Sequence, residues 1–364
     1  MKHKIIGLVL SLSLALGLFS ACGAPAQSVA APAVSSAPAV SSAPSVAASV
    51  VASSASAMPE KAPAPKTDFK IASLKGPTTM GLVQLMDSAD KGTARHNYAV
   101  TMYGTADEIA PQLIKGDIDV ALVPCNLASV LYNKTEGAIQ VAAVNTLGVL
   151  YLMEQGDSVH SVADLKGKTI YTVGKGTTPE YVLNYVLTKN GLTPGTDVTV
   201  VFKSEATEIV AMLQADKTGG AIAMLPQPYA TTVQLQDKTM RIALDMTQEW
   251  NKISDGNDLV TGVVVARKDF IEKNTAAFDE FLSDYSDSVT FVNSNTEEAA
   301  ALIAGYEIVP KAPIAQKALP LCNITFTDGS IMKADISSYL QVLFDQNPAS
   351  VGGKLPDDMF YYNA

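Results

Sequence analysis

The chain has 364 residues, 48% of them hydrophobic, and a formal net charge of −10. That length leaves room for two domains with a sizeable core, and an acidic chain with no basic stripe is not built for nucleic acid. Three cysteines, Cys22, Cys125 and Cys322, are too few for a disulfide framework, and none has metal-site spacing.

Residues 1–21 read as a signal segment: Lys2 and Lys4 precede an apolar run from Ile5 to Phe19 that is too short to span a bilayer. The run ends in Ser20-Ala21-Cys22, a junction similar to a bacterial lipobox, which marks Cys22 for lipidation. Residues 22–66 are rich in Ala, Ser, Pro and Val, with Ala-Pro-Ala-Val-Ser-Ser at 31–36 and again at 37–42. Such a stretch cannot bury enough apolar surface to offset its ordering entropy, so it is expected to be a disordered tether.

The folded part starts with a strand from Phe69 to Leu74, a turn Lys75-Gly-Pro-Thr-Thr79 and a helix through Met80, Leu82, Val83, Leu85 and Met86. A strand at Tyr98–Met102, a capping box Thr105-Ala-Asp-Glu108 and a helix to Gly116 follow. Next come a buried strand ending at Pro124-Cys-Asn126 and two more, Val141–Asn145 and Val149–Met153. The order then repeats. A capped turn at Ser161–Gly167 leads to a strand at 168–173 and the loop Lys175-Gly-Thr-Thr-Pro179, whose helix has Thr178 as N-cap, Pro179 at its first position and a stop at Asn190-Gly191. A strand at 198–202, a helix at 205–215 and a strand ending in Pro226-Gln-Pro-Tyr229 complete the second half. Leu259–Ala266 returns the chain to the first lobe, and helices are expected at 275–292, 296–304 and 330–346.

Strands alternating with helices predict mostly parallel sheets, with ligands held beyond the carboxyl ends of the strands. The division is lobe 1 from 67–157 and 262–364, and lobe 2 from 158–261. The loops Lys75–Thr79 and Lys175–Pro179 resemble each other and read as the facing jaws of a ligand site, each presenting a helix N-terminus, which suits an anion or a polar ring edge.

With Ser20-Ala-Cys22, the tether, Gly116-Asp-Ile-Asp119, Val162-Ala-Asp-Leu-Lys-Gly167 and Leu225-Pro-Gln-Pro228 in place, the chain resembles substrate-binding lipoproteins of bacterial ABC importers. It is most similar to the branch that handles nitrate, sulfonates, taurine and thiamine-pyrimidine precursors. The resemblance implies an α/β, two-lobed periplasmic-binding-protein-like (type II) fold that closes on a small solute and delivers it to a membrane permease. It further implies a protein held on the extracytoplasmic face of the membrane by a lipid on Cys22, monomeric, with no cofactor or metal and no catalytic residues. Carried over position by position, the contacts are Lys75, Thr78, Thr79, Tyr103, Asn126, Thr177, Thr178, Gln227 and Tyr229.

The rival classes are a sulfonate, taurine or nitrate binder of the same branch and an enzyme of related fold, such as a pyrimidine-precursor synthase. The enzyme needs histidine and metal chemistry, whereas His3, His96 and His160 fall outside the expected cleft loops and read as surface residues. The three arginines, Arg95, Arg241 and Arg267, also fall outside those loops. A bidentate clamp for a strong oxyanion is therefore not expected. The hydroxyls, amides and tyrosines that remain favour a planar, neutral or weakly anionic heterocycle, of the pyrimidine-type vitamin-precursor kind. Cys125 and Cys322 read equally as a pair or as two separate buried thiols.

Overall fold

A computed structural model describes residues 65–216, 219–254 and 256–363. The expected signal segment, the lipidation site Cys22 and the tether as far as residue 64 lie outside the described residues.

The strands are β1 (Asp68–Leu74), β2 (Asn97–Tyr103), β3 (Val120–Pro124), β4 (Ile139–Thr146), β5 (Leu150–Gln155), β6 (Thr169–Thr172), β7 (Thr199–Phe202), β8 (Ile222–Pro226), β9 (Met240–Asp245), β10 (Gly262–Arg267) and β11 (Ile324–Thr327). They form two sheets, ordered β11-β4-β10-β3-β1-β2 and β7-β6-β8-β5-β9. Apart from the added β11 edge, the second order repeats the first: β7, β6, β8, β5, β9 stand where β2, β1, β3, β10, β4 stand. This is the two-lobed, type II α/β arrangement.

The sheets are mixed rather than mostly parallel. β1 pairs in parallel with β2 and β3, and β6 with β7 and β8, but β10 runs antiparallel to β3 and β4, and β5 antiparallel to β8 and β9. The reason is topological: β5 and β10 each enter a sheet from the other lobe, at the end where the parallel strands stop. It follows that Leu150–Gln155, counted with the first lobe from its position in the sequence, belongs to the second sheet. An apolar run says strand, but not which sheet.

Local chemistry explains the elements. Phe69 and Ile71 are buried between exposed Asp68 and Lys70, a period of two, whereas Val120–Val123 is buried throughout because helices cover both faces. The helix Ala106–Lys115 starts at the Thr105–Glu108 capping box and stops at Gly116 in the left-handed region, running its full length despite Pro111. The helix Thr275–Ser294 buries Phe278, Phe281, Leu282, Tyr285, Val289 and Val292, a stripe at helical spacing.

One face of the first sheet packs Phe69, Met80, Leu82 and Phe281. Its other face is continuous with the second lobe: Val123 and Val144 share a cluster with Leu152, Ile170, Leu183 and Trp250, and with Ile336 and Tyr339 of the helix Gly329–Gln346. Cys125 and Cys322 are separate buried thiols, and the Cys322 sulfur sits 3.8 Å from that of Met80. His96 is buried rather than on the surface: its Nδ1 accepts from Thr67 N at 3.2 Å, which leaves Nε2–H to donate to Glu280 at 2.8 Å.

All three arginines are committed to ion pairs within a lobe. Arg95 meets Asp284 at 3.2 Å, Arg267 meets Asp119 at 3.1 Å and Arg241 meets Glu154 at 2.6 Å. Glu154 is fully buried, and burial alone would push its carboxyl up. Hydrogen bonds from the Ser158 side chain and from the Ser158 and Val159 amides, with the Arg241 charge, outweigh burial and hold it below the ordinary value. A depressed carboxyl contributes stability above its unfolded pKa, about 4.3, which is lost as pH falls through the folded value. Arg241→Met should therefore cost about 2–3 kcal/mol at pH 7 in urea unfolding, with the cost fading below about pH 4. A cost that stayed constant down to pH 3 would mean the pair does not set the Glu154 charge.

Candidate functional site

The crossing segments set the site. Between β4 and β5 the chain passes from the first lobe to the second through Leu147–Val149, and it returns through Leu259–Thr261. In the first lobe Gly262 pairs with Pro124 at the end of β3, and in the second Leu150 pairs with Pro226 at the end of β8. The ladders run on by one bond each: Cys125 N donates to Thr261 O at 3.1 Å, and Gln227 N to Val149 O at 3.0 Å. Asn126 and Gln227 thus emerge at equivalent points of the two lobes, each beside a crossing segment.

Both amides are buried, and each is only partly bonded. Asn126 Nδ2 donates to Ser350 O at 3.2 Å and reaches Gly176 O of the second jaw at 3.4 Å, while its Oδ1 has no partner. Gln227 Oε1 accepts from Thr231 Oγ1 at 2.8 Å and Thr231 N at 3.3 Å, while its Nε2 has none. Two hydroxyls beside the crossings, Thr261 Oγ1 and Thr247 Oγ1, are likewise buried and unpartnered. The sequence reading missed both, since a threonine near a strand end carries no distinguishing signal. The nearest signal was Gly148, where a Cβ would fall 2.0 Å from Thr247 Oγ1.

Three of the four jaw threonines have their protons committed inside their own loops. Thr78 donates to Leu74 O at 2.8 Å, Thr79 to Leu74 O at 2.5 Å, and Thr177 to Gly174 O at 2.8 Å. Thr178, buried, accepts from Tyr339 of the C-terminal helix at 3.2 Å. Lys75 is exposed. Tyr103 is half-buried, with its hydroxyl on Gln112 at 3.0 Å. Tyr229 is half-buried against the core of the second lobe, and burial pushes its phenol up.

The helix N-termini differ from the expectation. In the second jaw Thr177, not Thr178, is the N-cap, and Pro179 takes the second helical position. Glu180 reaches back to accept from Gly176 N at 2.6 Å, so a carboxylate of the chain already occupies that positive end. In the first jaw the expected single helix is broken into one turn, Pro77–Met80, and a second helix, Val83–Asp90. It is the second jaw, with Glu180 in place, that offers no vacant helix terminus for an anion.

The lobes are in contact. Tyr339 joins Thr178 and packs its ring 5.6 Å from that of Trp250, which lies 4.8 Å from Tyr185. On the other face the Tyr151 hydroxyl donates to Leu321 O at 3.0 Å. Trp250 is the chain's one tryptophan, so its emission reports the first contact. Tyr339→Ala should shift that emission to the red by admitting water beside the indole, and an unshifted spectrum would show that the two rings do not meet in solution.

The family model described as NMT1/THI5 like matches residues 136–299. No curated protein matches the chain. Among solved structures, an ABC transporter protein from Parabacteroides distasonis is 24% identical with a TM-score of 0.67, over 82% of this chain and 99% of that one. The periplasmic aliphatic sulphonate binding protein SsuA from Escherichia coli is 19% identical with a TM-score of 0.64, over 81% and 93%. The periplasmic nitrate-binding protein NrtA from Synechocystis PCC 6803 is 13% identical with a TM-score of 0.58, over 78% and 82%. By its match over residues 136–299 and by its fold, the chain is similar to the NMT1/THI5-like proteins and shares the two-lobed architecture of these binding proteins.

Proposed function

We propose that the protein is an extracytoplasmic solute-binding component of an ABC importer, taking a small molecule between its lobes and passing it to a membrane permease. The observation that carries this reading is the pair of buried amides, Asn126 and Gln227, brought to matching strand ends of the two lobes with one polar atom each left unpaired. An unpaired buried polar atom costs about 1–3 kcal/mol, and a ligand spanning the cleft would recover that in both lobes on closure. Lys75, Thr78, Thr79, Tyr103, Thr177, Thr178 and Tyr229 are the further contacts proposed around it. The reading is of a binder and not an enzyme: His96 is tied to Thr67 and Glu280, and His160 lies exposed beside Asp157.

The solute proposed is a small, uncharged, planar heterocycle. Relatives named for sulfonate and nitrate favour an anion instead. Against that reading stand three arginines held in ion pairs within the lobes and a jaw helix whose N-terminus faces Glu180. Calorimetry against 4-amino-2-methylpyrimidine, taurine, methanesulfonate and nitrate decides between them. Micromolar binding of the pyrimidine, weakened roughly fivefold to thirtyfold by Gln227→Leu, is expected. Micromolar binding of a sulfonate or nitrate with no response to the pyrimidine would refute it. Saturation at a hundredfold excess over Kd should add about 2.7 kcal/mol to stability.

We also propose a lipid anchor at Cys22, supported by the Ser20-Ala21-Cys22 junction and the Ala/Ser/Pro-rich stretch after it. Cys22→Ser should move the protein from the membrane fraction to the soluble one, and unchanged retention would end the idea.

A further inference from the structure

A carboxamide side chain has one arm that only donates and one that only accepts, so its protein neighbours decide which arm a ligand meets. Asn126 and Gln227, both buried, are held in opposite senses. The neighbours of the Asn126 amide are two backbone carbonyls, Ser350 O at 3.2 Å and Gly176 O at 3.4 Å, and a carbonyl can only accept. Both Nδ2 protons are therefore used, and the arm left over is the acceptor Oδ1. Gln227 is turned the other way. Thr231 N, which can only donate, and Thr231 Oγ1 meet the same arm at 3.3 and 2.8 Å. That arm is Oε1, and the donor Nε2 is left over. The unpartnered hydroxyls of Thr247 and Thr261 can give or accept, so they impose no polarity.

The fold fixes both orientations. Thr231 lies one turn beyond Gln227, on the helix Tyr229–Gln236, so its two bonds to Oε1 are local. Ser350 belongs to the turn Pro348–Val351, which is tied to the helix Cys125–Lys134 that carries Asn126. There Val351 O accepts from Ser129 Oγ at 2.8 Å and from Asn133 Nδ2 at 2.9 Å, and Ser350 Oγ donates to Leu343 O at 3.1 Å. Reversing Asn126 would set an oxygen against two carbonyl oxygens, and reversing Gln227 would set an N–H against an N–H. The first jaw leaves room beside Asn126. Ser73 of β1 pairs with Leu122 of β3, so the loop after β1 and the turn into Asn126 leave the sheet side by side. Gly76 of that loop is buried, yet a Cβ on it would meet no atom within 4 Å.

We propose that Asn126 and Gln227 select the solute by hydrogen-bonding polarity, the first lobe accepting a proton from it and the second donating one to it. The proposal rests on the solute-binding reading above and deepens it. The solute then carries an N–H or O–H on one edge and a ring nitrogen or carbonyl oxygen on another, as an aminopyrimidine does. Ions that only accept, such as nitrate and methanesulfonate, would set lone pairs against Asn126 Oδ1. Ser350 and Thr231 act as positioning residues.

The test is calorimetry in a double-mutant cycle with three probes of one outline. 4-Amino-2-methylpyrimidine carries the donor and the acceptors, 2-methylpyrimidine lacks the donor, and 3-methylaniline lacks the ring acceptors. In the wild type, loss of either should weaken binding roughly fivefold to thirtyfold. In Gln227→Leu, loss of the ring nitrogens should cost nothing further, while loss of the amine should still cost its full factor. In Asn126→Leu the pattern should reverse. An amine coupled to Gln227, or no coupling at either residue, overturns the proposal. Should Asn126→Leu fail to fold without its bond to Ser350, the Gln227 half of the cycle decides alone. If the wild type binds taurine and no pyrimidine, the heterocycle reading fails by itself, and polarity is read from taurine against ethanesulfonate, which lacks the amine. Tighter binding of taurine then retains the proposal, and equal binding removes it. A wild type that takes only nitrate or methanesulfonate, or none of these probes, overturns both readings.

Discussion

The chain crosses between its lobes twice, and each crossing delivers a strand into the middle of a sheet. β5 and β10 are both flanked by strands on either side, so neither can shift without breaking two ladders. Pairing at Leu150–Pro226 and Gly262–Pro124 puts the start of each crossing strand against the end of the strand that leads into a buried amide. The positions of Asn126 and Gln227 are therefore set by the sheets themselves, with the loops free to vary around them. Two short segments remain as the covalent connection, the geometry in which hinge closure is possible without disturbing either core.

Charge is disposed around that frame in a way that bears on the solute. The chain is acidic overall, yet its arginines are used to fasten edges within lobes: Arg241 to the loop after β5, Arg267 to Asp119 at the foot of β3, Arg95 to the helix Thr275–Ser294. Glu180 fills the N-terminus of the helix that follows the second jaw. What remains at the strand ends is a set of neutral amides and hydroxyls with incomplete bonding, which are strong in a dry cleft only when a ligand matches their directions.

Much of this was legible in the sequence. The repeated order of strand, proline and helix start, at Pro124-Cys-Asn126 and Pro226-Gln-Pro228, disclosed two lobes of like construction, with Asn126 and Gln227 two of the nine expected contacts. The capping boxes at Thr105–Glu108 and Ser161–Asp164 marked their elements because the signal is local. Sheet membership was not legible, since the alternation in Leu150–Gln155 fits either lobe until its neighbours are known. Nor was the bonding state of a side chain. The jaw threonines read as ligand donors, but Thr78, Thr79 and Thr177 give their protons to backbone carbonyls a few residues away.

The central claim is that the lobes close on a solute, and the most direct measurement is a distance across the cleft. Asp107 and Glu205 are exposed and stand at the starts of equivalent helices in the two lobes, and the native thiols Cys125 and Cys322 are buried. Spin labels at Asp107→Cys and Glu205→Cys, in a Cys22→Ser background, should give a broad distance distribution without solute. Saturation with the solute that binds by calorimetry should replace it with a shorter, narrower one. The same distribution with and without a tightly bound solute would contradict the account.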